Sequence, residues 1–462
     1  MDKRILLYFI YILFSGILYF ALPHRPSKEA FSPLASTESF ARSPGLDRVV
    51  LVEDGEESIA VRIALIQGAQ HSIEIAYHSL HFGVVADVFF ASLLEAADRG
   101  VQVRILMDGI FHRLYGSMRD LRYVLELHPN VEFRLYEPLN LFKPWTWNNR
   151  LHDKIMIVDG KIGLISGRNI GNRYYLSAEM TKEFVFDMDV VVLTADGTNG
   201  QSGVGQLVEY FSLLWEHRLT GRMSSWITPR REARAQKRRT VLLQRLEEIR
   251  LNYPQHFIDS LDWLEEESIP VERMQLIHNP VMRGKKHPWV WASLVHLAHE
   301  AEESIVVQSP YIIPTRGMLK YLEEESLAGK EVLLLTNSLA SSPNLFGVAG
   351  YESKRDFLGS RATEIWEYYG PGSLHGKAVL FDQHLSAVGS FNMDARSSFL
   401  STETMLVIES EEFNGHLREV MREKATYSQP ILATQATPSA PLPKRLMVGM
   451  VRVLAWFIDY LL

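Results

Sequence analysis

The chain has 462 residues, of which 47% are hydrophobic and 22% are charged. This length allows two or three domains, or one large duplicated domain, with ample apolar material for a core. The composition excludes a disordered or collagen-like protein, and the absence of cysteine excludes disulfides, thiolate zinc sites and thiol nucleophiles. A formal net charge of −7 argues against a protein that coats nucleic acid.

An uncharged apolar run covers residues 5–22 and directly follows Lys3 and Arg4. As a helix this run would rise about 27 Å, just enough to cross the hydrocarbon core of a bilayer. We therefore predict a single membrane anchor over residues 1–23, with a cleaved signal peptide as the alternative. The two basic residues favour an N-terminus inside the cell and the remainder of the chain outside it.

The other end of the chain also carries an apolar segment, at residues 444–462. Its charged residues Arg445, Arg452 and Asp459 recur every seven positions, which places them on one helical face. This spacing predicts an amphipathic helix that lies in the membrane surface, or alternatively packs on the protein's own core.

Short sequence patterns occur twice along the chain. Residues 69–73 (AQHSI) return at 301–305 (AEESI), and each copy leads through an apolar strand and a helical stretch to Gly100 or Gly329 and a further strand. Helices that alternate with short strands rich in β-branched residues indicate an α/β fold.

The strongest repetition involves a set of four polar residues, each of which returns 223 positions later. The first set is His152, Lys154, Asp159 and Asn169, and the second is His375, Lys377, Asp382 and Asn392. Each set lies on a predicted strand–turn–strand with the aspartate in the turn. We therefore predict two pseudo-symmetric lobes, each a mixed sheet flanked by helices.

These features divide the chain into seven predicted segments. They are an anchor or signal (1–23), a linker (24–45), lobe 1 (46–228), a basic helical connector (229–270), lobe 2 (271–427), a Pro-rich linker (428–443) and a membrane-surface helix (444–462). For the basic connector we favour a solvated helix over a contact with lipid headgroups.

The repeated residues suit phosphoryl chemistry that needs no metal or cofactor. Period-two alternation places His and Lys on one face of a strand, and two facing lobes would bring two such pairs together. Lysine and asparagine side chains can stabilise the charge on phosphate oxygens, while one histidine attacks phosphorus and the other transfers the proton. Asp187 and Glu403 are candidates to orient the histidines.

The spacing H-x-K-x4-D-x6-[GS]-[GS]-x-N, present twice, resembles the phospholipase D superfamily. The stretches SGRNIGNRYY, FDMDVVV, SPYIIPTRG and GSFNMDARS are similar to its cardiolipin synthase branch, especially the C-type members. The resemblance runs from about residue 47 to residue 409.

The resemblance implies a role for each motif residue. His152 would be the nucleophile and His375 the acid/base, with Lys154, Lys377, Asn169 and Asn392 on the phosphate, Asp159 and Asp382 bracing the site, and Asp187 and Glu403 orienting the histidines.

The resemblance also implies a phosphatidyltransferase of the inner membrane that makes cardiolipin from phospholipids such as phosphatidylglycerol or phosphatidylethanolamine. Its catalytic part would be extracytoplasmic, and one chain with both lobes would act as a monomer, without nucleic acid. The alternatives are a phospholipase D-type hydrolase and, less favoured, a phosphodiesterase or nuclease. A non-catalytic scaffold would require loss of a motif residue, and all six His, Lys and Asp positions are intact.

Some positions depart from the family pattern or allow two interpretations. Asn172 stands where an aspartate is usual, and the stretch 77–87 lacks the common Trp-and-acid pattern, which leaves the acceptor open. We interpret His78 and His81 as surface or core residues rather than metal ligands. The Trp-containing loop 143–147 could line a lipid entrance or pack on its lobe.

Overall fold

The structure is a computed structural model that describes residues 3–21, 47–194, 201–223, 226–257, 261–322, 327–431 and 441–457. The chain divides into two compact units. We call them the first-motif unit (42–138 and 151–274) and the second-motif unit (1–41, 139–150 and 275–462).

An N-terminal helix opens the second-motif unit. It consists of α1 (Lys3–Ile12), a π-helical segment (Leu13–Leu18) and α2 (Tyr19–Ala21). By length and composition this helix could cross a membrane, as predicted, although a signal sequence would meet the same criterion.

The described residues of the first-motif unit form ten strands and six helices. The strands are β1 (Asp47–Val52), β2 (Ser72–Tyr77), β3 (Gln102–Asp108), β4 (Val131–Tyr136), β5 (Lys154–Val158), β6 (Ile162–Ser166), β7 (Val185–Phe186), β8 (Asp189–Thr194), β9 (Thr220–Arg222) and β10 (Ile269–Pro270). The helices are α3 (Gly55–Gly68), α4 (Val84–Asp98), α5 (Arg119–Leu127), α6 (Gly203–Glu216), α7 (Pro229–Asn252) and α8 (Asp262–Glu266).

In the second-motif unit, the described residues that follow form nine strands and five helices. The strands are β11 (Arg273–His278), β12 (Ser304–Gln308), β13 (Glu331–Asn337), β14 (Glu364–Tyr368), β15 (Ser373–Leu374), β16 (Ala378–Phe381), β17 (Leu385–Gly389), β18 (Thr404–Glu409) and β19 (Ser428–Pro430). The helices are α9 (Trp289–Glu300), α10 (Leu345–Gly359), α11 (Ala395–Phe399), α12 (Glu411–Thr426) and α13 (Leu442–Phe457).

The strand order is the same in the two units, except that the first sheet has an additional edge strand, β10. The first sheet runs β10-β1-β8-β6-β5-β2-β3-β4-β9 and the second runs β11-β18-β17-β16-β12-β13-β14-β19. In each sheet three consecutive strands are parallel, β2-β3-β4 and β12-β13-β14, and the motif strands pair antiparallel to them. The predicted duplication into two mixed sheets flanked by helices is therefore confirmed.

Helices cover both faces of the first sheet. One face packs in a single apolar core with α3, α4 and α5, which α7 also joins. The opposite face receives α6, where Gly163 admits Leu207: a Cβ at this position would stand 2.6 Å from the leucine Cδ1. Both faces of the central strands are thus buried, which explains their nearly continuous apolar sequences.

Three segments differ from the sequence expectations or refine them. The helical stretch expected from residue 321 to Gly329 falls mostly on residues 323–326, which lie outside the described part, and residues 321 and 322 before them are not helical. Residues 139–150, expected in lobe 1, belong to the second-motif unit. The basic helix α7, expected as a connector, belongs to the first-motif unit, where Arg238 forms an ion pair with Asp87.

The C-terminal helix packs on the second-motif unit. Val448 is buried against α10, and Lys444 Nζ donates to the main-chain carbonyl of Ser342 at 2.8 Å. Most of the Pro-rich linker (432–440) and the last five residues lie outside the described part. The location of this helix in a membrane surface stays a prediction.

The motif aspartates hold the turn after each motif strand. Asp159 accepts from the main-chain N–H groups of Gln70, His71 and Ser72 at 2.7–2.8 Å. Asp382 repeats this with the N–H groups of residues 302–304 at 2.8–2.9 Å. Burial opposes ionisation, but the three donors outweigh it and lower the pKa of each carboxyl. Each aspartate therefore joins its motif turn to the start of the neighbouring strand, β2 or β12.

Replacing either aspartate with asparagine should cost about 1–3 kcal/mol of unfolding free energy at neutral pH, because main-chain donors lose their charged acceptor. Since the folded pKa is lowered, the stabilisation is complete above the ordinary carboxyl pKa of 3.8 and is lost as pH falls through the lowered value. Denaturant unfolding of Asp159→Asn should therefore show a deficit that shrinks in acid. Asp262→Asn, at an exposed position, is the control, and equal deficits in the two variants would contradict this role.

Candidate active site

Each unit brings its motif histidine and lysine together at the start of a strand. Lys154 opens β5, and its Nζ donates to the main-chain carbonyl of His152. In the second-motif unit Lys377 Nζ donates to the carbonyl of His375 and lies 2.7 Å from its Nδ1. Both lysines are buried, while both histidines are half-buried. Each unit thus presents an imidazole beside a desolvated ammonium group, whose field is stronger than it would be in water.

Two side chains hold the residue that precedes His152. The main-chain N–H of Leu151 donates to Asp108 Oδ2 at 2.9 Å, and its carbonyl accepts from His78 Nδ1 at 2.6 Å. The ring centroids of His78 and His152 are 4.9 Å apart. Burial and the neighbouring His152 lower the pKa of His78 well below the ordinary histidine range, which keeps this ring neutral.

A single asparagine performs the equivalent task for the residue that precedes His375. Asn337 Oδ1 accepts from the N–H of Leu374 at 2.8 Å, and Asn337 Nδ2 donates to its carbonyl at 2.8 Å. An amide supplies both a donor and an acceptor, whereas Asp108 only accepts, so the first-motif unit uses His78 for the carbonyl.

Sequence reasoning missed all three of these holding residues. It singled out His78 only as a doubtful metal ligand and did not consider Asp108 or Asn337. The available signal is their place in the chain, since each ends or directly follows a parallel strand, and functional groups of α/β sheets gather at those carboxyl ends.

The predicted orienting acids occupy matching positions in the two sheets. The last residue of β6 pairs with Asp189, and the last residue of β17 pairs with Met405. Asp187 and Glu403 each lie two residues before those partners, and both are buried. The two acids are therefore structural counterparts, although their sequence separation differs from the 223-residue repeat.

The exchange of Ser and Gly between the motifs changes the surroundings of these acids. Ser390 Oγ donates to Glu403 Oε2 at 2.5 Å. At the matching position a Cβ on Gly167 would stand 2.2 Å from Asp187 Oδ1, so glycine admits the aspartate there. Glu403 thus accepts a hydrogen bond from a hydroxyl, whereas Asp187 packs against the main chain of a glycine.

A buried ion pair stabilises the segment that follows β6 of the first motif. Arg62 Nη1 lies 2.6 Å from Asp189 Oδ2, with both side chains fully buried, and Ser166 donates to the same carboxylate. Burial would raise the pKa of Asp189, but Arg62 and Arg168 outweigh it and lower that pKa. Arg168 also donates to the main-chain carbonyl of Asp187 at 2.6 Å. Helix α3 is thereby tied to the loop that follows β6.

The motif asparagines each present a buried amide oxygen with no hydrogen-bond partner among the described residues. Asn169 Nδ2 lies 3.1 Å from Tyr174 Oη, whereas Asn169 Oδ1 and Asn392 Oδ1 have no partner there. A buried polar atom in this state is one that a ligand can satisfy. Rotating the amide by a half turn presents its NH₂ group instead, a suitable donor to a phosphate oxygen.

Asn172 and His81 have other contacts. Asn172 Oδ1 accepts from the N–H of Val85 at 3.1 Å, in the first turn of α4. Burial and the nearby Arg113 lower the pKa of His81 to about 4. Over the described ranges, no cluster of three or more His, Asp or Glu side chains is arranged to hold a metal ion.

Comparison with known proteins agrees with this arrangement. Residues 63–197 and 294–424 match the family model described as cardiolipin synthase, PLD-like domain. Cardiolipin synthase C of Escherichia coli is 26% identical over 405 residues, covering 80% of this chain and 83% of that protein. An uncharacterized protein of Helicobacter pylori is 26% identical over 437 residues, covering 86% and 83%.

A solved structure supports the fold. A phosphatidylserine synthase of Haemophilus influenzae matches with a TM-score of 0.63 at 15% identity, over 90% of this chain and 97% of that one. The family model covers both motif-bearing regions and more than half of the chain. The chain therefore belongs to the cardiolipin synthase family of phospholipase D-like proteins.

Proposed function

We propose that this protein is a phosphatidyltransferase that makes cardiolipin through a covalent phosphohistidine intermediate. The supporting observation is the duplicated histidine beside a buried lysine, which occurs once in each region matched by the family model. Phosphatidylglycerol or phosphatidylethanolamine would serve as a substrate, and the catalytic part would lie on the extracytoplasmic side of the inner membrane. Since one chain carries both motifs, a monomer would suffice.

The reaction would proceed in two displacements at phosphorus. The His152 imidazole attacks the phosphodiester, forming an N–P bond, and the P–O bond to the leaving alcohol breaks as His375 donates a proton to it. His375 then takes the proton of an acceptor hydroxyl, whose oxygen displaces His152 and forms the new phosphodiester. Assigning the nucleophile to the first motif rests on the family resemblance, since the pseudo-symmetry alone permits the reverse.

The remaining motif residues would stabilise and position these groups. Lys154, Lys377 and the two motif asparagines would neutralise the charge that grows on the phosphate oxygens, a task that needs no metal. Asp187 and Glu403 would orient the histidine rings, and the turn aspartates would brace the strands. The bonds to Leu151 suggest that His78 and Asp108 act as positioning residues for His152.

Analysis of cellular lipids by mass spectrometry tests the proposed function. Expression of the wild-type chain in cells that lack cardiolipin should produce it, and His152→Ala or His375→Ala should abolish production, because each step needs both imidazoles. His416→Ala, at an exposed position on α12, is the matched control and should behave as wild type.

The products also separate the two enzyme classes. Accumulation of phosphatidic acid without cardiolipin would identify a hydrolase that uses water as acceptor. Cardiolipin production that survives both histidine substitutions would contradict the proposed mechanism.

Steady-state kinetics test the positioning role of His78. His78→Ala frees the Leu151 carbonyl, and we expect kcat to fall about 10–100-fold with little change in KM, because His152 loses its fixed place. His78→Asn retains a side-chain N–H near the position of Nδ1 and should recover most of the loss. His81→Ala is the control, with kinetics near those of the wild type. If Asn at position 78 is as inactive as Ala, the imidazole has a role beyond this hydrogen bond.

A further inference from the structure

The N-terminal helix is packed into the second-motif unit. Phe20 is 1% exposed and belongs to the apolar core of this unit. Asn148 Nδ2 donates to the carbonyl of Gly16 at 2.6 Å, and a Cβ on this glycine would stand 2.9 Å from Pro144 Cβ. Removing the helix would uncover the core around Phe20, so the packing favours a retained anchor over a cleaved signal peptide.

A loop at residues 139–148 lies along this helix and exposes large apolar side chains. They are Leu139, Leu141, Phe142 and Trp145. Two hydroxyls of the helix bind the loop backbone: Tyr8 Oη donates to the carbonyl of Leu141 at 2.7 Å, and Tyr11 Oη donates to that of Phe142 at 2.9 Å. The loop is thereby fixed to the middle of the helix, although Phe142 itself is 79% exposed.

We propose that this loop and the outward face of the N-terminal helix form one membrane surface, whose occupant is the hydrocarbon of a phospholipid bilayer. The helix contributes a continuous set of exposed apolar side chains. They are Ile5, Leu6, Leu7, Phe9, Ile10, Leu13, Phe14, Ile17 and Leu18. A contiguous apolar area of this extent is unusual on a surface that faces water.

The hydrogen bonds of the loop indicate that it lies in hydrocarbon rather than in water. Inside hydrocarbon a main-chain carbonyl has no water and needs an internal donor. Tyr8 and Tyr11 supply such donors to two consecutive loop carbonyls, at the residues whose apolar side chains are the most exposed in the loop. A loop in water would not need them. The helix thus carries the loop into the bilayer with these two carbonyls hydrogen-bonded.

Basic residues near the end of the helix mark the headgroup level. Lys285 Nζ lies 5.2 Å from the centre of the Tyr19 ring, and Arg283 is exposed in the same loop. Tyr19 and Tyr11 are eight residues apart, or about 12 Å along a helix, so Phe142 lies well inside the headgroup level. Lys143 can extend its ammonium back toward the headgroups.

Site-specific labelling tests this surface, because the chain contains no cysteine and each introduced one is unique. Phe142→Cys carries an environment-sensitive fluorophore in the full-length chain, reconstituted into phosphatidylglycerol–phosphatidylethanolamine vesicles. Leu141→Cys is a second probe position. Glu419→Cys, on the surface of the same unit, is the water-exposed control. Quenching by a spin-labelled phospholipid is compared with quenching by aqueous iodide.

The loop probes should emit at shorter wavelength than the control, respond to the lipid quencher and resist iodide. The proposal would be overturned if iodide quenched the loop probes as strongly as the Glu419 probe. This inference rests on the proposed function only in that both place the protein at a membrane. The fluorescence readout does not depend on catalytic turnover. A chain that makes no cardiolipin but buries Phe142 in lipid would therefore contradict the proposed function alone.

Discussion

One carboxylate in each unit sets the position of the motif strand. Asp159 and Asp382 each accept three main-chain N–H groups from the segment that enters the neighbouring parallel strand. These bonds fix the antiparallel pairing of the motif strand with β2 or β12, and hence the strand end where histidine and lysine stand. A slip by one residue would turn every side chain to the opposite face. Asp159 stands about 16 Å along the strand from Lys154, which makes it a brace rather than a contact to the same phosphate.

The opposite end of each motif strand is held by polar side chains that follow parallel strands. Leu151 and Leu374, the residues before the histidines, have both main-chain polar groups bound. A motif strand fixed at both ends presents its histidine with little freedom, and preorganisation of this kind lowers the cost of reaching a transition state.

Much of this arrangement could be predicted from the sequence because it is local. The 223-residue repeat, the alternation within IMIV and AVLF and the acidic turns give the two strand–turn–strand units directly. Asp187 and Glu403 were chosen as candidates by residue type, and the sheet register shows that they occupy matching positions. In contrast, the bonds of Asp108 and Asn337 depend on which strands are neighbours, and strand order is set by tertiary packing. The same limit applies to residues 139–150, since their contacts with the second-motif unit depend on tertiary packing.

The duplicated sheets differ in the polar groups around their motifs. One unit uses Asp108 and His78 where the other uses Asn337 alone, and Ser390 donates to an acid that has a glycine counterpart in the first unit. Such differences are what a reaction with one nucleophilic and one proton-transferring histidine would use, since identical surroundings would give both rings the same chemistry.

The proposed mechanism requires a covalent phosphatidyl group on His152, and this adduct can be trapped. Enzyme mixed with phospholipid radiolabelled in its phosphate, without acceptor, is quenched rapidly in alkaline denaturant, because an N–P bond is labile in acid, and its peptides are mapped. The label should appear on the peptide that contains His152 and be absent from the His152→Ala variant. Label only on the peptide that contains His375 would reverse the assignment, and turnover without label on either peptide would contradict the covalent mechanism.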